Sequence, residues 1–409
     1  MDRPGPLDGI RILDFTERMQ GPYATQMLAD MGADVLKVER REPLTPDGRR
    51  DDRYGEHGRY GTDPEDSKIY SSGFLANNRN KRSLTVDLKS PDGLAVVRRL
   101  LSECDVVYEN FRPGVMDRLG VGYEACREVN PSIVYASASG YGASGPYLRK
   151  PGQDVLVEAL TGWGAVNSDE HRRPQPVGVA VADLLGGMNG AYAVATALVH
   201  RERTGEGQHV RVCLYDSALA GLAEWGFHAI NTPAGEPRRP SGHASPYTPP
   251  PYGFYATKDG YLALSSGRQV SILSRILGIK DLSTDERFSD YWQRDRNRAE
   301  MAKIIESALT ERTTAEWLAL MEAEDMFVAP VKGLVEAFED PQALHNDMVV
   351  PLETPIGTMK FLGVPWKMSA TPASVRTPPP LHGEHTDEIL AQCGFTEDEI
   401  AQLRAVEAI

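Results

Sequence analysis

Cysteine, histidine and net positive charge are all scarce in this 409-residue chain, and each shortage excludes a class of protein. The four cysteines (Cys104, Cys126, Cys213 and Cys393) stand far apart, with no CxxC pair and no histidine at metal-ligand spacing. Such scattering supports neither a disulfide framework nor a zinc site, and it fits a reducing compartment. Lys and Arg total 44 against 58 acidic residues, a formal charge of −14. A phosphate backbone would be repelled by that balance, so nucleic acid is not an expected partner. No apolar run approaches the ~20 residues of a membrane span. The N-terminal MDRPGPLDGIRILDF also lacks an apolar signal core. The expectation is a cytoplasmic globular protein that engages neither nucleic acid nor membrane.

Several motifs are missing too. ERMQGPYATQML stands where a GxGxxG turn would follow the first strand, so a dinucleotide site is poorly supported. A Walker loop, a GxSxG elbow and HExxH are likewise absent. His382 and His385, in LHGEHTDEIL, look like a helix start rather than a metal pair, and no metal is expected.

What is present is a strand–helix alternation. IRILDF, VLKVE, SLTVDL, DVVYENF and SIVYASAS read as strands, and YATQMLADMGA and SPDGLAVVRRLLSEC as helices between them. Ser90 should cap the second helix, with Pro91 at its first position. Strands separated by single helices imply parallel βαβ units in a doubly wound, Rossmann-like sheet. Arg41 to Ser72 interrupts this rhythm as a charged surface loop whose Arg49, Arg50, Arg53 and Arg59 read as solvated. Past Asn231 a Pro/Gly-rich connector leads to a hairpin, GFYATKDGYLALSS, turning at Asp259–Gly260. The division expected is residues 1–205 for the N-terminal part of a large α/β domain and 206–245 for a linker and connecting helix. Residues 246–330 form a small α+β domain, and 331–409 a linker and a C-terminal part that completes the large domain.

The densest chemical signal is VGVAVADLLGGMNGAYAVATALVHRERTGEGQHVRVCLYDS. A short apolar strand should deliver Asp183 to a helix that opens with Gly186 and Gly187. Unpaired N–H groups at a helix start favour an ionised carboxylate and can hold an oxyanion. That is a seat for a nucleophilic Asp. Asp is equally a preferred N-cap, and the local pattern alone leaves both roles open. Arg112 and Arg118 in ENFRPGVMDRLG, Arg40 after the second strand, and Lys89 after another sit where ligands bind doubly wound sheets. Cations converging there would suit a polyphosphorylated ligand.

The chain resembles the family III CoA-transferases, the group that contains formyl-CoA transferase and L-carnitine CoA-transferase. The resemblance rests on PLDGIRILDFTERMQGP, LADMGADVLKVERR, NRNKRSLTVDLKSPDG, ENFRPGVMDRLG, VADLLGGMNGAYAVATAL, RTGEGQHVRVCLYDS and LHGEHTDEIL, in that order. It implies that Asp183 is the nucleophile. It also implies that Met19, Gln20, Arg40, Val86 to Lys89, Asn110, Phe111, Arg112 and Arg118 contact CoA. Gln153 and Asp154 of the KPGQD turn would line the thioester pocket as supporting residues, with Gly186 and Gly187 offering backbone N–H groups. No tightly bound cofactor is implied; coenzyme A enters as substrate, with an acyl-CoA donor and a carboxylate acceptor. Two chains would interlock as a homodimer, burying the apolar helix around Ala218 to Phe227.

The implied reaction moves CoA between acids through an aspartyl anhydride and an aspartyl-CoA thioester. A related racemase or epimerase is one alternative. Its GHD turn is matched here by Gly152, Gln153 and Asp154, and no histidine occurs between His57 and His171. Gln cannot exchange a proton at neutral pH, so transfer is favoured. A non-catalytic acyl-CoA-binding protein is the second alternative. No clear counterpart of the family's glycine-rich closing loop is present; Gly242–Tyr247 and Ser265–Gln269 are the candidates. Arg18, His243 and Arg268 are candidates to hold a second carboxylate of the substrate.

Overall fold

The computed structural model describes residues 4–41, 59–60, 70–168, 173–232 and 248–409. Arg49, Arg50, Arg53, the Gly242–Tyr247 loop and His243 lie outside them. The chain forms two compact units. One comprises Met1–Leu160, Val179–Gly221 and Asp340–Ile409, the other Thr161–Gly178 and Leu222–Glu339.

The first unit is built on six parallel strands: β1 (Arg11–Asp14), β2 (Asp34–Glu39), β3 (Lys81–Thr85), β4 (Val106–Glu109), β5 (Val134–Ser139) and β6 (Gln208–Cys213). Their spatial order is β3-β2-β1-β4-β5-β6, that of doubly wound nucleotide-binding folds. The central strands are nearly continuous apolar runs because both faces are covered. Leu13, Leu36, Val107 and Tyr135 enter one core, while Ile12, Val35, Val106 and Val134 enter another on the opposite face.

The principal helices are α1 (Gln20–Asp30), α2 (Pro91–Leu101), α3 (Asp154–Thr161), α4 (Val181–Thr204), α5 (Thr386–Gln392) and α6 (Glu397–Ala405). Ser90 caps α2 by accepting from the Gly93 amide, with Pro91 at the first position as expected. Residues of α2, α5 and α6 share the first core, and those of α1 and α4 the second. All four cysteines are buried free thiols.

In the second unit, β7 (Gly253–Ala256), β8 (Tyr261–Leu264) and β9 (Val328–Pro330) pair antiparallel in the order β9-β8-β7. The expected hairpin forms, and Asp259 in its turn accepts from the Thr314 amide at 2.8 Å, tying turn to helix. Tyr255, Phe288, Trp317 and Met321 fill this unit's own core.

Two local expectations fail. The apolar run before Asp183 pairs with no strand, and residues 173–180 are irregular up to the helix. The resemblance implied one apolar helix around Ala218 to Phe227; the chain instead forms Leu214–Gly221 and Ala223–Asn231, broken where Ala223 takes a φ of 42°. Among the described residues no helix is long and apolar enough to cross a membrane.

Candidate active site

The site lies at the carboxyl edge of the parallel sheet. Strand order reverses between β1 and β4, and the loops after these strands diverge there to leave a crevice. Asn110, just past β4, spans it: its Nδ2 donates to the Glu17 carbonyl at 2.7 Å and its Oδ1 accepts from the Glu17 amide at 2.8 Å. Beneath the β1 loop, the buried Asp14 carboxylate accepts from the Thr16 amide, the Thr25 hydroxyl and, at 3.0 Å, Lys81 Nζ. Lys37 donates to the Thr16 carbonyl at 2.8 Å. This network fixes the loop that presents Met19 and Gln20.

Helix α4 leads into β6, a parallel strand, so it runs against the strands and its N-terminus returns to the same edge. Asp183 sits in its first turn. The N-cap position is Ala180, so Asp183 is not the cap; the acceptor comes from Asp154 at the start of α3. Asp154 Oδ1 accepts from the Ala182 amide at 2.7 Å and from the Asp183 amide at 3.2 Å. Two first-turn donors are therefore satisfied by a neighbouring carboxylate. Burial, reinforced by the Asp154 charge, pushes the Asp183 carboxyl up to about 7. That corrects the expectation of a carboxylate held ionised by the helix start.

The two glycines also depart from expectation. Gly186 and Gly187 occupy the second turn, where amides pair within the helix rather than face a ligand. Their missing side chains serve packing. A Cβ on Gly187 would come 2.8 Å from the Gln20 carbonyl oxygen and 2.9 Å from Tyr23 Cδ1; one on Gly186 would come 2.7 Å from Gln20 Nε2. That Nε2 is buried and has no hydrogen-bond partner, an orphan donor one helical turn from Asp183.

Asn110, Phe111, Arg112 and Gln153 line one cleft of about 310 Å³, together with Tyr141 and Lys150. Lys150, whose Nζ lies 3.8 Å from the Tyr147 ring centroid, was overlooked in the sequence although it opens the KPGQD turn. Arg40, Lys89 and Arg118 are exposed and do not line that cleft. Arg40 pairs with Glu17 at 3.3 Å, and its carbonyl contacts His382 Nε2 at 2.8 Å. Val86 offers a ligand no side chain: it is buried in the core and its amide donates to the Glu39 carbonyl. Met19 is half-buried at the N-cap of α1. His385 Nδ1 accepts from the Ser83 amide at 3.3 Å. Arg18, with φ 70°, is exposed beside Met19; Arg268 is exposed in the second unit, in the Ser265–Gln269 segment.

A carboxyl of raised pKa at the start of α4, an orphan amide donor packed against Gly186 on the next turn of that helix, and a cleft with Arg and Lys whose lining includes Gln153 but not Asp183 suit acyl or group transfer; the described residues hold no metal cluster. The family model for CoA-transferase family III matches residues 7–386, and the chain belongs to that family. It is 36% identical to a succinate–glutarate CoA-transferase of Agrobacterium fabrum, over 96% of both chains. It is 33% identical to the human succinyl-CoA:glutarate CoA-transferase, over 96% of this chain and 87% of that one. A crystal structure of a CaiB/BaiF family protein from Brucella suis superposes with a TM-score of 0.83 at 32% identity, covering 96% of this chain and 100% of that one. The chain is thus a CoA-transferase, and CoA thioesters are its substrates.

Proposed function

We propose that this enzyme moves CoA between two dicarboxylic acids, with succinyl-CoA and glutarate the leading pair, by covalent catalysis at Asp183. The observation that carries the mechanism is the Asp183 carboxyl of raised pKa, half-buried beside the Asp154-capped helix start. The names of the two relatives above, and the exposed Arg18 next to Met19, support the dicarboxylate pair.

An Asp183 oxygen attacks the thioester carbonyl and expels CoA thiolate, giving an acyl-aspartyl anhydride. The thiolate attacks the aspartyl carbonyl and the donor acid leaves as carboxylate, giving an aspartyl-CoA thioester. The acceptor carboxylate opens that thioester, forming a second anhydride and releasing thiolate. Attack of the thiolate on the acceptor acyl carbon yields the new acyl-CoA and restores Asp183. Holding CoA by its nucleotide end keeps the thiolate local, an advantage of roughly several kcal/mol. Asn110, Phe111, Arg112 and Lys150 serve that end, and Arg40, Lys89 and Arg118 extend it electrostatically. Gln20 Nε2, in place of the glycine amides, donates to the developing oxyanion. A carboxylate of higher pKa is also the better nucleophile once ionised.

The working form is a homodimer in the cytoplasm. Met188, Tyr192 and Val199 are exposed along α4, an apolar surface suited to a second copy, and four free thiols suit a reducing compartment. Light scattering at low micromolar concentration checks the first point, a stable monomer refuting it.

Incubation with succinyl-CoA followed by hydroxylamine should leave a hydroxamate at Asp183, found by peptide mass spectrometry. A donor–acceptor matrix then ranks the acids. Absence of any Asp183 adduct alongside full exchange would refute the covalent route, and α-proton exchange in deuterated water without a second acid would select racemisation.

A further inference from the structure

The LHGEHT stretch does more than open α5. β3 is an edge strand of the six-stranded sheet, so every second residue of it turns its backbone N–H and C=O groups away from β2. The Leu381–Thr386 turn covers that edge. The Ser83 carbonyl accepts from the His385 amide at 2.9 Å, and the Ser83 amide donates to His385 Nδ1 at 3.3 Å. The Thr85 amide donates to Thr386 Oγ1 at 3.2 Å. Gly383 bends the turn at a φ of 65° and donates its own amide to Ser83 Oγ at 2.8 Å. Ser83 Oγ donates in turn to the Glu39 carboxylate at the end of β2.

With the turn so pinned, His382 meets the residue that follows β2. Its Nε2 lies 2.8 Å from the Arg40 carbonyl oxygen. A carbonyl only accepts, so Nε2 carries the hydrogen and His382 is the donor. The Arg40 side chain has a weaker restraint. Its guanidinium meets Glu17 at 3.3 Å, but the two side chains are 47% and 39% exposed, and an ion pair that wet is worth little. The pair still aims Arg40 at the crevice, because Asn110 clasps the Glu17 backbone and itself lines the cleft. A phosphate can take the guanidinium from so weak a partner. What must stay in place is the backbone from which the long side chain swings.

We infer that the Leu381–Thr386 turn is the bracket on which Arg40 is mounted, and that His382 is a positioning residue for CoA that acts through the Arg40 backbone. The inference rests on the reading of Arg40 as a phosphate contact at the CoA site. It gives a part in substrate binding to a C-terminal segment none of whose residues lines the cleft.

The test is a double-mutant cycle on wild type, His382→Ala, Arg40→Ala and the two combined, read by calorimetric titration of CoA and by steady-state kinetics. His382→Ala should bind CoA about threefold to tenfold more weakly, the loss of one hydrogen bond. Its KM for acyl-CoA should rise alike while kcat stays within about twofold. In the Arg40→Ala background, removing His382 should change affinity by less than about twofold, because the side chain it positions is gone. His382→Gln has an Nε2 donor as many bonds from Cβ as the imidazole Nε2, so it should recover most of the loss and stands in if alanine unsettles the turn. A loss of equal size in both backgrounds, or a glutamine variant as weak as alanine, would overturn the bracket while leaving CoA transfer standing. So would an Arg40→Ala enzyme that binds CoA like wild type. Wild type that binds no CoA at all would overturn the CoA reading of the site, and the bracket with it.

Discussion

Asp183→Asn should produce an enzyme that is inactive and more stable than wild type at alkaline pH. The carboxyl is raised from 3.8 to about 7, by burial first and by the Asp154 charge second. A group whose folded pKa lies above its unfolded value favours the folded state below the unfolded pKa, and that advantage is lost as pH rises through the folded one. For Asp183 the window runs from about 4 to about 7. Above it wild type holds an unfavourable, half-buried charge that asparagine does not carry. At 1.36 kcal/mol per unit the difference is on the order of 2–4 kcal/mol at pH 8, and most of it should be gone at pH 4.5. Urea unfolding of both proteins at the two pH values reads it directly, with CoA exchange assayed on the same samples. A variant no more stable than wild type at pH 8, or one stabilised equally at both pH values, would refute the reasoning. The stability given up by wild type would then have nothing to do with ionising the nucleophile.

Asp154→Asn keeps an oxygen for the Ala182 amide but removes the like charge, so the acid limb of kcat/KM should fall from about 7 by on the order of one unit; a pH–rate profile with an unmoved limb would assign the shift to burial alone. Gly187→Ala pushes a methyl group against the Gln20 carbonyl and Tyr23, which should cost about 1–3 kcal/mol in urea unfolding. A neutral result there would mean that α1 and α4 can separate freely. Arg118→Ala should raise the KM for acyl-CoA more than it lowers kcat, since phosphate contacts hold ground and transition states alike; unchanged saturation would move the nucleotide site away from this arginine.

The features legible in the sequence were those decided within a few residues. Buried apolar runs marked five of the six strands of the parallel sheet, Ser90–Pro91 marked a helix start, and Asp259–Gly260 marked a hairpin; the edge strand β6, QHVRVC, is mostly half-buried and carried no such run. The VGVAVA run before Asp183 has the same apolar character, but it forms no strand and its last two residues, Val181 and Ala182, already begin α4. The cap of α4 was hidden because its acceptor, Asp154, lies 28 residues from Ala182 in the chain. Gly186 and Gly187 advertised a close approach, but the sequence could not say that the approaching group was α1 rather than a substrate. The Ser137–His209 contact joins two strands and exists only once their register is set. Break positions inside helices are equally nonlocal, as the left-handed Ala223 shows.

The order in which the first unit's pieces are synthesised follows from its discontinuity. Its last sheet strand ends at Cys213, while Ile389, Leu390, Cys393 and Ile400, which share a core with Leu13, Leu36 and Leu84, belong to helices that begin only at Thr386. Roughly 170 residues of translation separate the two, about 9–35 s at 5–20 residues per second. Throughout that interval a nascent six-stranded sheet would stand on the ribosome with one flank covered by α2 but lacking α5 and α6, while the inserted unit, whose own core is contiguous apart from Thr161–Gly178, emerges and folds. The part of the flank that α5 and α6 will cover is an apolar surface that stays open for that interval. It closes only when Ile389, Leu390 and Ile400 arrive with the last two helices.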